Sequence, residues 1–163
     1  MVTSAAQARR IAAEVPDPEM PMINIGDLGV LRDVVADEDG HVVVNITPTY
    51  SGCPAMEAIR ADVIARLAEH GVHDAEVRLV LAPAWSTDRI TPAGREALRR
   101  HGIAPPGPAG ASGRRPVAVQ LTVRCPRCGS PDTRELSRFG STACKALWVC
   151  GACREPFDHV KAL

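Results

Sequence analysis

The sequence predicts an α+β protein, a small two-layer α/β sandwich with a C-terminal zinc ribbon. Three observations carry that reading. Residues 1–103 alternate helical and strand-like hydrophobic periods around a valine-rich hairpin. Residues 104–116 are rich in proline and glycine, with Pro105, Pro106, Gly107, Pro108, Gly110 and Gly113, and read as a linker. Residues 117–163 carry Cys125-Pro126-Arg127-Cys128 and, twenty-one residues later, Cys150-Gly151-Ala152-Cys153. Two C-x2-C pairs at this separation have four-thiolate zinc spacing.

The elements follow in order. Ala5, Ala8, Ile11, Ala12 and Val15 recur at helical spacing over residues 4–15, with Thr3 or Ser4 as N-cap, and Pro16, Pro18 and Pro21 end that helix. Gly29–Ala36 reads as a strand. Asp37-Glu38-Asp39-Gly40 is a turn and His41–Thr47 the return strand. After the loop 48–53, Pro54–His70 is the best helix in the chain, with Met56, Ile59, Val63 and Leu67 on one face and Gly71 as its stop. Ala75–Leu81 is a third strand, giving a small antiparallel-rich sheet. Residues 82–90 read as irregular, and Thr91–His101 as a short helix closed by Gly102. The ribbon opens with the alternating stretch Val117–Val123.

Each C-x2-C pair suits a tight turn, and Gly129 and Gly151 suit positive φ there. Cys125, Cys128, Cys150 and Cys153 are therefore expected to hold structural zinc. A closed four-thiolate site holds structure and does no chemistry of its own, and its metal supplies the folding energy that a small ribbon core lacks. Pairing as two disulfides is the alternative. It is opposed by the lack of a secretory signal, which with six cysteines points to a reducing cytoplasm. No apolar run is long enough to span a membrane. Cys144 is left over, beside Lys145, and is expected to be a partner contact or a reactive thiol.

Net charge is zero but uneven. Residues 1–110 hold 10 Lys/Arg against 15 Asp/Glu, a net of −5, and residues 111–163 hold 9 against 4, a net of +5. The basic ribbon raises nucleic-acid binding, but its charges are dispersed and only Phe139, Trp148 and Phe157 could stack on bases, so this partner is not expected.

In the first domain, Cys53 lies in Thr49-Tyr50-Ser51-Gly52-Cys53-Pro54 at the mouth of the long helix. The helix N-terminus is expected to lower its pKa and so favour metal binding or reactivity. The competing reading is a small buried residue filling space, and local sequence does not separate the two. Asp17 and Glu19, flanked by prolines, are either candidate ligands or a capped turn, and the turn is favoured on the residues alone. His41, His70, His73, His101 and His159 are scattered, and Ser86-Thr87-Asp88 shows no Ser–His–Asp logic. No phosphate loop, dinucleotide fingerprint or complete catalytic constellation is present.

Asp17-Pro18-Glu19-Met20-Pro21, Ile25-Gly26-Asp27-Leu28-Gly29-Val30 and Thr47-Pro48-Thr49-Tyr50-Ser51-Gly52-Cys53-Pro54 together resemble the metal-sulfur cluster assembly family that includes SufT. The ribbon, with Phe139-Gly140-Ser141-Thr142-Ala143-Cys144-Lys145-Ala146 and Glu155-Pro156-Phe157-Asp158, resembles the PaaD family associated with the phenylacetyl-CoA 1,2-epoxidase system. This resemblance implies an accessory, non-catalytic protein of aerobic phenylacetate degradation, with the epoxidase oxygenase and reductase components as partners. It also implies that Cys53, Asp17 and Glu19 handle iron or a transient iron–sulfur cluster. One cysteine per chain in that role implies a homodimer. A structural adaptor without metal handling is the alternative. The family pattern after the third strand expects a second aromatic where this chain has Arg89, in Trp85-Ser86-Thr87-Asp88-Arg89-Ile90.

Overall fold

The structure, a computed structural model, describes residues 4–108 and 122–162. Most of the expected linker and of the strand at Val117–Val123 lies outside the described residues. Contacts divide the chain into two units, Met1–Trp85 with Arg89–Gly94, and Ser86–Asp88 with Arg95–Leu163.

In the first unit, α1 spans Ala5–Ala13, and Ser4 caps it by accepting the Gln7 N–H. Ala8, Ile11 and Ala12 face inward. A short α2 at Ile25–Leu28, not expected from the sequence, is capped by the Asn24 side chain on the Asp27 N–H and closed by Gly29 at φ 76°. There the Val30 N–H returns to the Ile25 carbonyl. β1 (Leu31–Ala36) pairs antiparallel with β2 (Val42–Ile46). β3 (Ala75–Leu79) joins the other side of β2 in parallel. The sheet is therefore mixed, because α3 (Ala55–Glu69) is the crossover between β2 and β3 and returns the chain to the same end. α1 packs on β1 and α3 packs on β3. The core is the inward face of the sheet, with Val34, Val42, Val44, Ile46 and Val77, set against Ile59, Val63 and Leu67 of α3. This is the expected two-layer α/β arrangement.

The stretch 85–90 is more ordered than expected. Trp85 is buried and donates its indole N–H to the Leu28 carbonyl at 3.0 Å. Thr87–Arg89 forms a 3-10 turn. The backbone of Arg89 lies so close to Gly29 that a Cβ there would sit 2.7 Å from the Arg89 carbonyl oxygen.

In the second unit, α4 (Pro92–Arg100) begins within the first unit's last residues and leads to β4 (Ile103–Ala104). β4 pairs in parallel with β7 (Pro156–Val160), giving a four-stranded sheet in the order β4-β7-β6-β5, with β5 at Thr133–Ser137 and β6 at Lys145–Cys150. Most of α4 and the strand at 103–104 thus group with the ribbon, whereas the sequence alone assigned residues 1–103 to the first domain. No helix of the described residues is long and apolar enough to cross a membrane.

Candidate metal centre and the Cys53 loop

The ribbon cysteines meet. The Sγ atoms of Cys125, Cys128, Cys150 and Cys153 all lie within 4.8 Å of one another. Cys125 and Cys153 are 3.8 Å apart, and Cys128 and Cys150 are 3.5 Å apart. Zn–S bonds of about 2.3 Å place tetrahedral sulfurs about 3.8 Å apart. A disulfide would need about 2.05 Å. The quartet is therefore a metal site rather than two disulfides, and its all-sulfur donor set and spacing fit zinc. Bound there, the metal would supply cross-linking, since four protein thiolates leave no open position.

Local backbone builds this site. In the first knuckle the Gly129 N–H bonds the Cys125 carbonyl, and Gly129 takes φ 75°. In the second knuckle the left-handed residue is Arg154 at φ 63°, which likewise follows the second cysteine of its pair. This corrects the expected role of Gly151. Gly151 is needed instead for close approach, because a Cβ there would meet Asp132 Oδ2 at 2.1 Å, and its N–H bonds the Asp132 carbonyl. The Cys153 N–H points at Cys150 Sγ at 3.5 Å, and this contact leads in lowering the Cys150 thiol, while burial and the neighbouring thiols raise Cys128 and Cys153, so without a metal charge gathers on one sulfur of the quartet.

Cys144 stands outside the quartet. It is buried, and the Thr142 hydroxyl lies 3.1 Å from its sulfur. The thiol expected to face a partner or an oxidant is thus turned inward. Its neighbour Lys145 is also buried. Lys145 Nζ donates to Ser141 Oγ at 3.0 Å, and Ser141 Oγ donates to Asp158 Oδ2 at 3.0 Å.

In the first unit, Cys53 sits one residue before Pro54 and α3. Its N–H bonds the Tyr50 carbonyl, and Gly52 takes φ 77°. The thiol pKa is raised, which corrects the expected fall. Burial is the largest cause. The Ala55 N–H and the Tyr50 and Thr49 side chains favour the thiolate, but they do not offset burial and the negative charge of Glu19.

Asp17 is buried in a different role. Its Oδ1 accepts the N–H groups of Glu19 and Met20 at 2.9 and 2.8 Å, while its own N–H bonds the Ile23 carbonyl. It closes the turn, as the residues alone favoured. Among the described residues, the ribbon quartet is the group of three or more side chains whose ligand atoms converge, so Asp17, Glu19 and Cys53 do not form a ready ligand triad.

Fold and sites together define a small two-layer α/β domain followed by a metal-binding four-cysteine β-ribbon. Residues 6–82 match the family described as iron-sulfur cluster assembly protein, and residues 110–161 match the PaaD zinc beta ribbon domain. The chain is 45% identical over 153 residues to a protein of Escherichia coli (strain K12) named as a putative subunit of 1,2-phenylacetyl-CoA epoxidase, covering 94% of this chain and 90% of that protein. The chain therefore belongs to the PaaD family of epoxidase subunits. Its first half is also 38% identical over 79 residues to the Fe-S protein maturation auxiliary factor YitW of Bacillus subtilis (strain 168), covering 48% of this chain and 76% of that one. A crystal structure of a domain of unknown function, DUF59, from Bacillus anthracis superposes with a TM-score of 0.54 at 33% identity, covering 58% of this chain and 90% of that chain.

Proposed function

We propose that this protein is an accessory maturation subunit of a phenylacetyl-CoA epoxidase system, helping to insert an iron–sulfur cluster or iron into the reductase or the oxygenase component. It works in the cytoplasm and is not itself the oxygenase. The observation that carries the reading is similarity to an epoxidase subunit along nearly the whole chain, joined to a cluster-assembly domain with a cysteine at its main helix mouth.

The chemistry of Cys53 supports a transient handler rather than a resident site. A buried, protonated thiol that also feels the negative charge of Glu19 is a poor ligand at rest. An incoming iron cation reverses both effects, because it draws the proton from sulfur and is attracted by Glu19. The Ala55 N–H and the Tyr50 and Thr49 side chains then stabilise the thiolate. Two copies of the chain would supply the further ligands a cluster cargo needs. The ribbon, cross-linked by zinc, serves docking. A second reading, an adaptor without metal handling, is favoured by the burial of Cys53.

The test is zinc, iron and acid-labile sulfide per chain after purification without oxygen and incubation with ferrous iron and sulfide. The proposal expects about one zinc that Cys53→Ala leaves in place, and bound iron that Cys53→Ala abolishes. Iron uptake identical in Cys53→Ala would favour the adaptor.

A further inference from the structure

Two adjoining cavities in the C-terminal unit share Arg99 and Pro126, with volumes of about 400 and 290 Å³. Helix α4 supplies Arg95, Arg99 and Arg100 to their walls, and the first knuckle supplies Arg124 and Arg127. Among the described residues no aspartate or glutamate lines either cavity. The one acidic partner of these guanidinium groups among the described residues is Glu96, which pairs with Arg99 and more loosely with Arg100 at 4.0 Å. Five cations thus face one carboxylate.

Two of the cations are held by neutral groups. Arg95 donates to the carbonyls of Pro106 at 2.6 Å and Thr87 at 2.9 Å, and Arg124 donates to the Gly129 carbonyl at 3.1 Å. Carbonyl acceptors fix a guanidinium without cancelling its charge, so the positions are preorganised and the positive potential is left open. Guanidinium forks match phosphate oxygens in pairs.

We infer that this arginine face is a binding site for a small organic ligand carrying more than one phosphate. Size and lining select that class. The volumes are those of small-molecule sites. Among the described residues the one aromatic ring lining either cavity is the His159 imidazole, and a single ring gives no series on which successive nucleic-acid bases could stack, which argues against single-stranded nucleic acid. Pro105, Pro106, Ala104 and Val123 give the larger cavity an apolar wall for the body of the ligand. The two cavities on either side of Arg99 separate its anionic groups. This site is independent of Cys53 and of cluster handling.

The experiment is calorimetric titration of the full zinc-loaded chain with adenosine 3′,5′-bisphosphate, with inorganic phosphate, and with a glutamate-rich peptide. The expected result is saturable binding of the bisphosphate, weaker binding of phosphate, and weakening of the bisphosphate by at least about tenfold in Arg99→Gln and severalfold in Arg127→Gln. Arg134→Gln, on β5 away from both cavities, should bind as the parent does. Zinc content checks that each variant is folded. No bisphosphate binding at about 1 mM, equal binding by the Arg99→Gln chain, or tighter binding of the acidic peptide than of the bisphosphate would overturn the assignment.

Discussion

Replacing Gly29 by alanine tests how the stretch after β3 is anchored. Gly29 closes α2 at φ 76°, where an L-residue costs about 1–2 kcal/mol. The new methyl would also lie 2.5 Å from Arg89 Cβ, 2.7 Å from its carbonyl oxygen and 3.0 Å from its carbonyl carbon. Two of those atoms are backbone and cannot swing aside, so overpacking adds about 1–3 kcal/mol. The total is about 2–5 kcal/mol. Gly40→Ala is the control: it sits at φ 88° with nothing within 4 Å, so it carries the conformational cost alone. Trp85 reports the event locally, since its indole bonds the Leu28 carbonyl beside Gly29. Urea unfolding followed by Trp85 fluorescence in a Trp148→Phe background should place the Gly29→Ala midpoint well below that of Gly40→Ala, by about 1 M or more for a small domain. Equal midpoints would show that Arg89 does not pack on Gly29, and the account of this segment would fail.

Metal removal should unfold the ribbon. Among the described residues its core cluster is Ala104, Val123, Cys125, Cys150 and Phe157, which includes the metal ligands Cys125 and Cys150. Chelation or Cys125→Ala should abolish amide-exchange protection in β5, β6 and β7, and retained protection would contradict the site's structural role. The ring of His159, edge-on to Trp148, is held at a pKa of about 4 by burial. An unfolded chain takes up this proton near pH 6.5, so the folded form has its full advantage above that pH and loses it as pH falls toward 4. The gap sets a ceiling near 3 kcal/mol, which partial solvent access lowers to about 1–2 kcal/mol. Ribbon stability measured between pH 6.5 and 5 should therefore fall less in His159→Gln than in the parent, and parallel curves would refute this. Asp158→Asn should destabilise the ribbon by about 2–3 kcal/mol in thermal unfolding, because it leaves the buried Lys145 ammonium without its counter-charge. Adding Lys145→Met should restore much of the loss, and no recovery would place the cost elsewhere.

The parts of the fold legible in the sequence were those with local causes. The β1–β2 hairpin has its turn residues, α3 has its apolar stripe at helical spacing, and the cysteine pairs declare a metal by spacing alone. The parallel direction of β3 was not legible, because alternating Val77 and Leu79 read the same either way. α2 is too short for periodicity, although Asn24 and Gly29 are the cap residues that mark it. β4 depends on pairing with β7 across more than fifty intervening residues. Spacing named the ribbon ligands but not the left-handed role of Arg154, since arginine carries no local signal for positive φ. At Cys53 position along the helix pointed the pKa down, while burial and Glu19, which are tertiary facts, push it up. The arginine face arises where α4 and the first knuckle converge, and charges spread along the sequence hid it.

The most direct test of the proposed maturation role is the iron and acid-labile sulfide content of the epoxidase oxygenase and reductase components, produced together with the parent chain or with Cys53→Ala. The account predicts well-loaded components with the parent and under-loaded ones with Cys53→Ala, although that variant keeps its zinc and still associates with them. Components loaded equally in both cases would contradict metal handling through Cys53 and leave the chain an adaptor.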